Sequence, residues 1–260
     1  MLVIVAYPYA LSGLNKLFLL SLFMFLKIVS LFKKNVIIVI DNIDPPVETA
    51  ISDAIRPLSL LKFALLRVYD LLFLKTSTMI IVLTESYRNY FSRLYRIPVE
   101  KIVIIPPPAL CKFIPYSLPK TEGPLTVLYS GVVKKERNID LIIQTIDELR
   151  NEGYEINLVV TAPLILMHLP RHVNCHNYPW PEYVRKALTM ADVAVIPYRY
   201  NRIHYSYTLV AKLFDYMACG KPVVCSNIPS IRSLAKECEG ILTVPPDDSH
   251  AIASALITLL

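Results

Sequence analysis

Thr208, Lys212 and Asp215 stand four and three residues apart, so a helix through them would carry all three on one face. The apolar residues Leu213, Phe214, Met217 and Ala218 supply the opposite, core-facing set. Gly220 fits a left-handed stop, Pro222 cannot continue the helix, and Val223-Val224-Cys225 reads as a buried parallel strand. The helix is expected to start near Ser206 or Thr208, both suited to cap it. Its first turn would then aim backbone N–H groups at whatever lies in front. A cation there suits a diphosphate, and a carboxylate one turn on suits sugar hydroxyls. The same spacing also fits a capped helix with a solvated Lys/Asp pair, and the residues alone leave both readings open.

The elements that must position this helix alternate between strand and helix. Strands are expected at Leu125 to Ser130 and Ile156 to Val160. A glycine turn at Gly131 precedes an amphipathic helix over Ile139 to Leu149. The turn from Gly131 to Asn138 holds Lys134, Lys135 and Arg137, either a phosphate clamp or a solvated basic turn. In the first half, strands are expected at Leu2 to Ala6, Val36 to Ile40, Met79 to Leu83 and Ile102 to Ile105. Thr84 opens a helix that runs to about Tyr95. The alternation predicts an α/β fold with parallel sheets. Six prolines between Pro106 and Pro124 mark a boundary, giving an N-terminal domain 1–108, a linker 109–124 and a C-terminal domain 125–260. Asp41 and Asp44 follow the second strand, where ligands bind in such sheets, although capping of the following loop explains them equally well.

Composition points to a surface partner. The chain is 54% hydrophobic with a mean hydropathy of +0.46, a net charge of +6 and a pI near 9.0. Leu17 to Phe32 is almost wholly apolar, and Pro57 to Leu74 is an apolar helix punctuated by Lys62, Arg67 and Asp70. Basic, apolar helices resting on an anionic bilayer are the preferred reading over a true span. The location expected is cytoplasmic, on the inner face of the membrane. The charge would also suit nucleic acid, but no nucleic-acid-binding motif is present. Five cysteines without a Cys-x-x-Cys pair fit a reducing compartment. His168, His172 and His176 cannot share a helix across Pro170, so no metal site is expected.

The run from Lys212 to Val224 resembles the donor-site signature of retaining GT-B glycosyltransferases of the group 1, family 4-like kind. It matches that pattern at Lys212, Tyr216, Ala218, Gly220, Pro222, Val223 and Val224. It departs at Asp215, where glutamate is usual, and at Tyr207, where many members carry a second glutamate. Arg137 matches a basic position before the first helix, while Val132 replaces a frequent arginine after the glycine. His176 to Pro181 resembles the segment that reads the nucleotide base, with Tyr178 and Trp180 available to stack. The resemblance covers most of 125–260 and implies two Rossmann-like domains. The N-terminal one is incomplete, with about four βα units, and Leu2 to Ala6 reads as one of its middle strands.

That resemblance implies transfer of a sugar from a nucleotide-diphosphate sugar to an acceptor, with retention and without a cofactor or metal. Gly131, Arg137 and Lys212 would hold the diphosphate, and Thr208 and Leu209 would offer backbone N–H groups. Asp215 would hold the ribose, and Tyr178 would meet the base. Asp41 and Asp44 are the candidate acceptor-side or base residues. The acceptor expected is lipid-linked or a glycan, and a membrane surface or a complementing subunit could cover an open sheet edge. A non-catalytic, donor-binding subunit or fragment is the alternative.

Overall fold

Short runs of Val, Ile and Leu, bounded by polar residues, glycine or proline, form two parallel sheets. The structure is a computed structural model that describes residues 2–6, 21–22, 24–25, 28–29, 37–41, 60–109, 111–120, 122–173, 175–199 and 209–259. Asp44, Tyr207 and Thr208 lie outside the described residues. Two compact units result, Met1–Pro106 with Arg202–Leu209, and Pro107–Asn201 with Val210–Leu260.

In the first unit the strands β1 (Leu2–Ala6), β2 (Ile37–Asp41), β3 (Met79–Val82) and β4 (Ile102–Ile104) lie side by side in chain order, all parallel. Among the described residues β1 pairs with β2 alone, so it is an edge strand there and not the middle strand expected. Helix α1 (Leu60–Thr76) precedes β3, and α2 (Glu85–Tyr95) follows it. Thr84 caps α2 by accepting from the Tyr87 backbone N–H at 3.1 Å. Tyr87, Phe91 and Tyr95 bury one face of α2 in a core shared with Ile38, Ile40 and Ile80. Asp41 sits half-buried at the C-terminal end of β2, at the strand end expected. No helix among the described residues is long and apolar enough to cross a membrane.

The second unit holds β5 (Leu125–Ser130), β6 (Ile156–Thr161), β7 (Cys175–His176), β8 (Val193–Ile196), β9 (Val223–Ser226) and β10 (Ile241–Val244). They order as β10-β9-β8-β5-β6-β7, again all parallel. Helices α3 (Ile139–Asn151), α4 (Ala211–Ala218), α5 (Pro229–Ala235) and α6 (Ser249–Thr258) connect or flank them. From β5 the chain winds outward through β6 and β7, then returns to β8 and winds the other way. The order reverses between β5 and β8, so a crevice is expected at the C-terminal ends of those two strands. Ile142 and Ile146 of α3 pack on Val127, Val160 and Val195 to close one side of the sheet.

The Pro-rich segment before β5 is stitched to this unit. The backbone N–H groups of Lys120 and Thr126 each donate to the buried Asp192 carboxylate at 2.8 Å. Lys221, only 3% exposed, donates to Ser117 Oγ and to the Thr189 carbonyl, both at 3.2 Å. The ring of Tyr116 lies over Gly220, whose φ of +78° is the left-handed stop expected after α4. A Cβ at Gly220 would come 2.4 Å from that ring. Gly220→Ala should therefore cost about 1–3 kcal/mol through backbone strain and overpacking. Urea unfolding measures it, and an unchanged midpoint would contradict the packing described.

Candidate functional site

The crevice at the ends of β5 and β8 is lined by a turn that only glycine permits. Gly131 follows β5 with φ +131°, and a Cβ there would sit 3.1 Å from the Lys212 ammonium. Lys212, in the first turn of α4, donates to the Ser130 carbonyl. Its Nζ lies 4.9 Å from the Tyr129 ring centre and 5.4 Å from that of Tyr198. The Arg137 guanidinium stacks on the same Tyr198 ring at 4.4 Å. Part of Lys212 remains accessible, but the ammonium is enclosed by the turn and the two rings. Burial pushes it well below the ordinary lysine range, and repulsion from Arg137 adds to this. Two cations thus converge on one glycine turn, an arrangement that a bound anion would relieve.

The turn is held from behind. Asn138 takes φ +57°, and its side chain donates to Asp247 at 2.9 Å while accepting from Arg199 Nε at 2.8 Å. Arg199 also pairs with Asp140 at 3.1 Å. This network ties the start of α3 to the exit of β8 and the loop after β10, which fixes the backbone beside Arg137.

On the other side of Ser130 lies a cavity of about 250 Å³, lined by Ser130, Thr161, Ala162, Asn177, Tyr178 and Tyr183 among others. The Thr161 hydroxyl is buried there without a hydrogen-bond partner, while the buried Tyr183 and Tyr216 hydroxyls lie within reach of one another and of Ser130. Burial pushes both phenols up, and at Tyr183 the Asp215 charge adds to the effect. Asp215 itself is half-buried, which raises its carboxyl above the ordinary aspartate range. A buried hydroxyl without a partner at Thr161 favours a polar ligand there over an empty apolar hole.

Gly131, Arg137, Lys212 and Asp215 therefore belong to one unit; the first three meet around the Tyr198 ring, Asp215 lies one helical turn beyond Lys212, and Tyr178 lines the adjoining cavity. The Tyr178 ring stacks on His176 at 5.0 Å and 9°, so one of its faces is occupied. Trp180 meets Phe113 edge-on at 6.1 Å. The expected start of α4 is corrected. The helix begins at Ala211 behind an extended Val210, without a side-chain cap, so Leu209 precedes the helix. Val resists helical backbone, and at Val210 the extended state wins. Lys212 and Asp215 share a helical face as expected. Asp41 belongs to the first unit.

The aromatic walls Tyr129 and Tyr198 were not anticipated, although both stand at or beyond the C-terminal end of a parallel strand facing the crevice. Among the described residues no group of three or more His, Cys, Asp or Glu is placed to hold a metal.

A buried ammonium is a stability cost that a methionine would lift. Lys212→Met is expected to raise the melting temperature of the ligand-free protein at neutral pH. Because the folded-state pKa lies below the unfolded value, the lysine penalty is full below the folded pKa and fades as pH rises toward the ordinary value of 10.5. The gain should therefore shrink between neutral and alkaline pH. A lower melting temperature for the variant would show the ammonium to be a net stabiliser.

Comparison with known proteins fits this geometry. Residues 124–260 match the family described as "Glycosyl transferases group 1". No curated protein matches the sequence. Among solved structures, sucrose-phosphate synthase from Thermosynechococcus elongatus superposes with a TM-score of 0.72 at 15% identity, covering 99% of this chain and 64% of its own. HepE from Anabaena, solved in complex with UDP, gives 0.66 at 12% identity over 92% and 66%. The lipopolysaccharide outer core galactosyltransferase WaaB gives 0.57 at 11% identity over 100% and 90%. The chain thus spans about two thirds of the first two relatives. These likenesses establish a GT-B type α/β fold with a partial domain. With the family match over its second unit, the chain belongs to the group 1 glycosyltransferases.

Proposed function

We propose that the chain binds a nucleotide-diphosphate sugar and transfers the sugar to an acceptor with retention of anomeric configuration. The observation that carries the reading is the convergence of Lys212 and Arg137 on the Gly131 turn, at the switch point of a parallel sheet. A leaving diphosphate gathers negative charge as the glycosidic bond breaks. Two preorganised cations in a partly dry site stabilise that charge, so the reading takes no cofactor. Asp215 then holds ribose hydroxyls from one helical turn further on, and the cavity beside Tyr178 takes the base. The complexes of HepE with UDP and of HepE with UDP and glucose support a nucleotide-sugar donor.

Asp41, at the end of β2, is proposed for the acceptor side, by its position at the strand end where ligands bind in such sheets. The acceptor proposed is lipid-linked or a glycan. The protein is proposed to act at the cytoplasmic face of a membrane, which its hydropathy, its net charge of +6 and five free thiols favour. A second reading, donor binding without transfer, is favoured by the small sheet of the first unit, four strands among the described residues.

Incubation with UDP- and GDP-linked radiolabelled sugars and a lipid extract tests the proposal. Transfer is expected, with the α-anomer of the donor kept in the product by NMR and a roughly 100-fold loss in Lys212→Ala. Donor binding without any transfer would favour the second reading, and an inverted product would refute retention.

A further inference from the structure

Helix α1 faces the wrong way for an ordinary surface helix. Its one carboxylate, Asp70, is 2% exposed and accepts from the Tyr95 hydroxyl at 2.8 Å. Arg67 likewise turns onto α2, donating to the Tyr95 and Tyr90 hydroxyls at 3.0 and 3.2 Å. With Arg67 and Asp70 facing inward, the outer face carries an apolar stripe. Leu61, Leu65, Val68 and Leu72, at i, i+4, i+7 and i+11, are 71%, 61%, 52% and 43% exposed. Phe25 and Ile28 of the same unit are also exposed. A stripe of this kind is costly in water, and on a soluble surface it marks a docking site.

We infer that the outer face of α1 is the surface by which this unit docks on an anionic lipid bilayer. Charge selects the occupant. Residues 1–106 carry twelve Lys and Arg against seven Asp and Glu, so most of the net charge of +6 lies in this unit. Lys75 stands exposed at the end of the stripe, and α1 presents no carboxylate outward. Anionic headgroups would meet the basic residues while the leucines enter the acyl boundary. The helix lies along the surface, held to its own core by Phe73 and Leu74, which are fully buried. The inference gives the proposed membrane association a location, and it does not depend on the donor site.

The test is co-sedimentation of the full chain with vesicles, comparing wild type with Leu65→Gln/Leu72→Gln. Both positions are exposed, and melting by circular dichroism checks that the variant folds. Wild type should bind vesicles of equimolar phosphatidylcholine and phosphatidylglycerol, and bind pure phosphatidylcholine weakly. The variant should lose affinity by about tenfold or more. Equal binding by the folded variant would overturn the inference, as would no binding by wild type. Self-association in solution that the variant abolishes would also overturn it, by showing that the face meets a second copy.

Discussion

An ammonium withheld from water beside a second cation is an unfavourable state, and the second unit is arranged around it. Lys212 keeps its place because α4 projects it across the end of β5, where the Ser130 carbonyl and the faces of Tyr129 and Tyr198 receive it. Gly131 makes room by lacking a Cβ, and the Asn138, Arg199 and Asp247 network holds the Arg137 turn opposite. The contacts of the Lys212 ammonium are a carbonyl and two ring faces, none of which carries a full negative charge. The site is therefore preorganised for an anion, and family membership together with the GT-B fold makes a nucleotide diphosphate the natural candidate.

The contrast with Lys221 shows what a structural lysine looks like in the same unit. Lys221 is also buried, yet its ammonium reaches Ser117, Leu118 and Thr189, with the Asp192 charge nearby. Those acceptors fasten the proline-rich segment to the sheet. Lys212 has one carbonyl and two rings where Lys221 has three oxygens. On the proposed reading, a lysine left short of acceptors in a crevice is kept for a ligand, whereas one saturated with them is a fastener.

Much of the fold was legible because its signals are local. Strand Leu125–Ser130 follows from a β-branched and aromatic run between Pro124 and Gly131, and the stops at Gly131 and Gly220 follow from the backbone that only glycine takes easily. Lys212, Asp215 and Arg137 were legible as a pattern of types and spacing. The start of α4 was not, because Ser206 and Thr208 offered a capping signal that the extended Val210 overrides. Tyr129 and Tyr198 were not singled out, since nothing local tells an aromatic that packs from one that cradles a cation. The outward stripe of α1 was hidden for a related reason. A helix that is apolar all round gives no periodicity, and the exposed side is decided only by where Arg67 and Asp70 find their tyrosines.

Calorimetric titration of the folded chain with UDP and with GDP tests the central claim most directly, run in parallel on Lys212→Met. The account predicts roughly micromolar binding of at least one nucleotide, weakened by about tenfold or more in the variant. A wild-type protein that binds neither, or a variant that binds as tightly as wild type, would contradict the assignment of the Lys212 crevice as a diphosphate site.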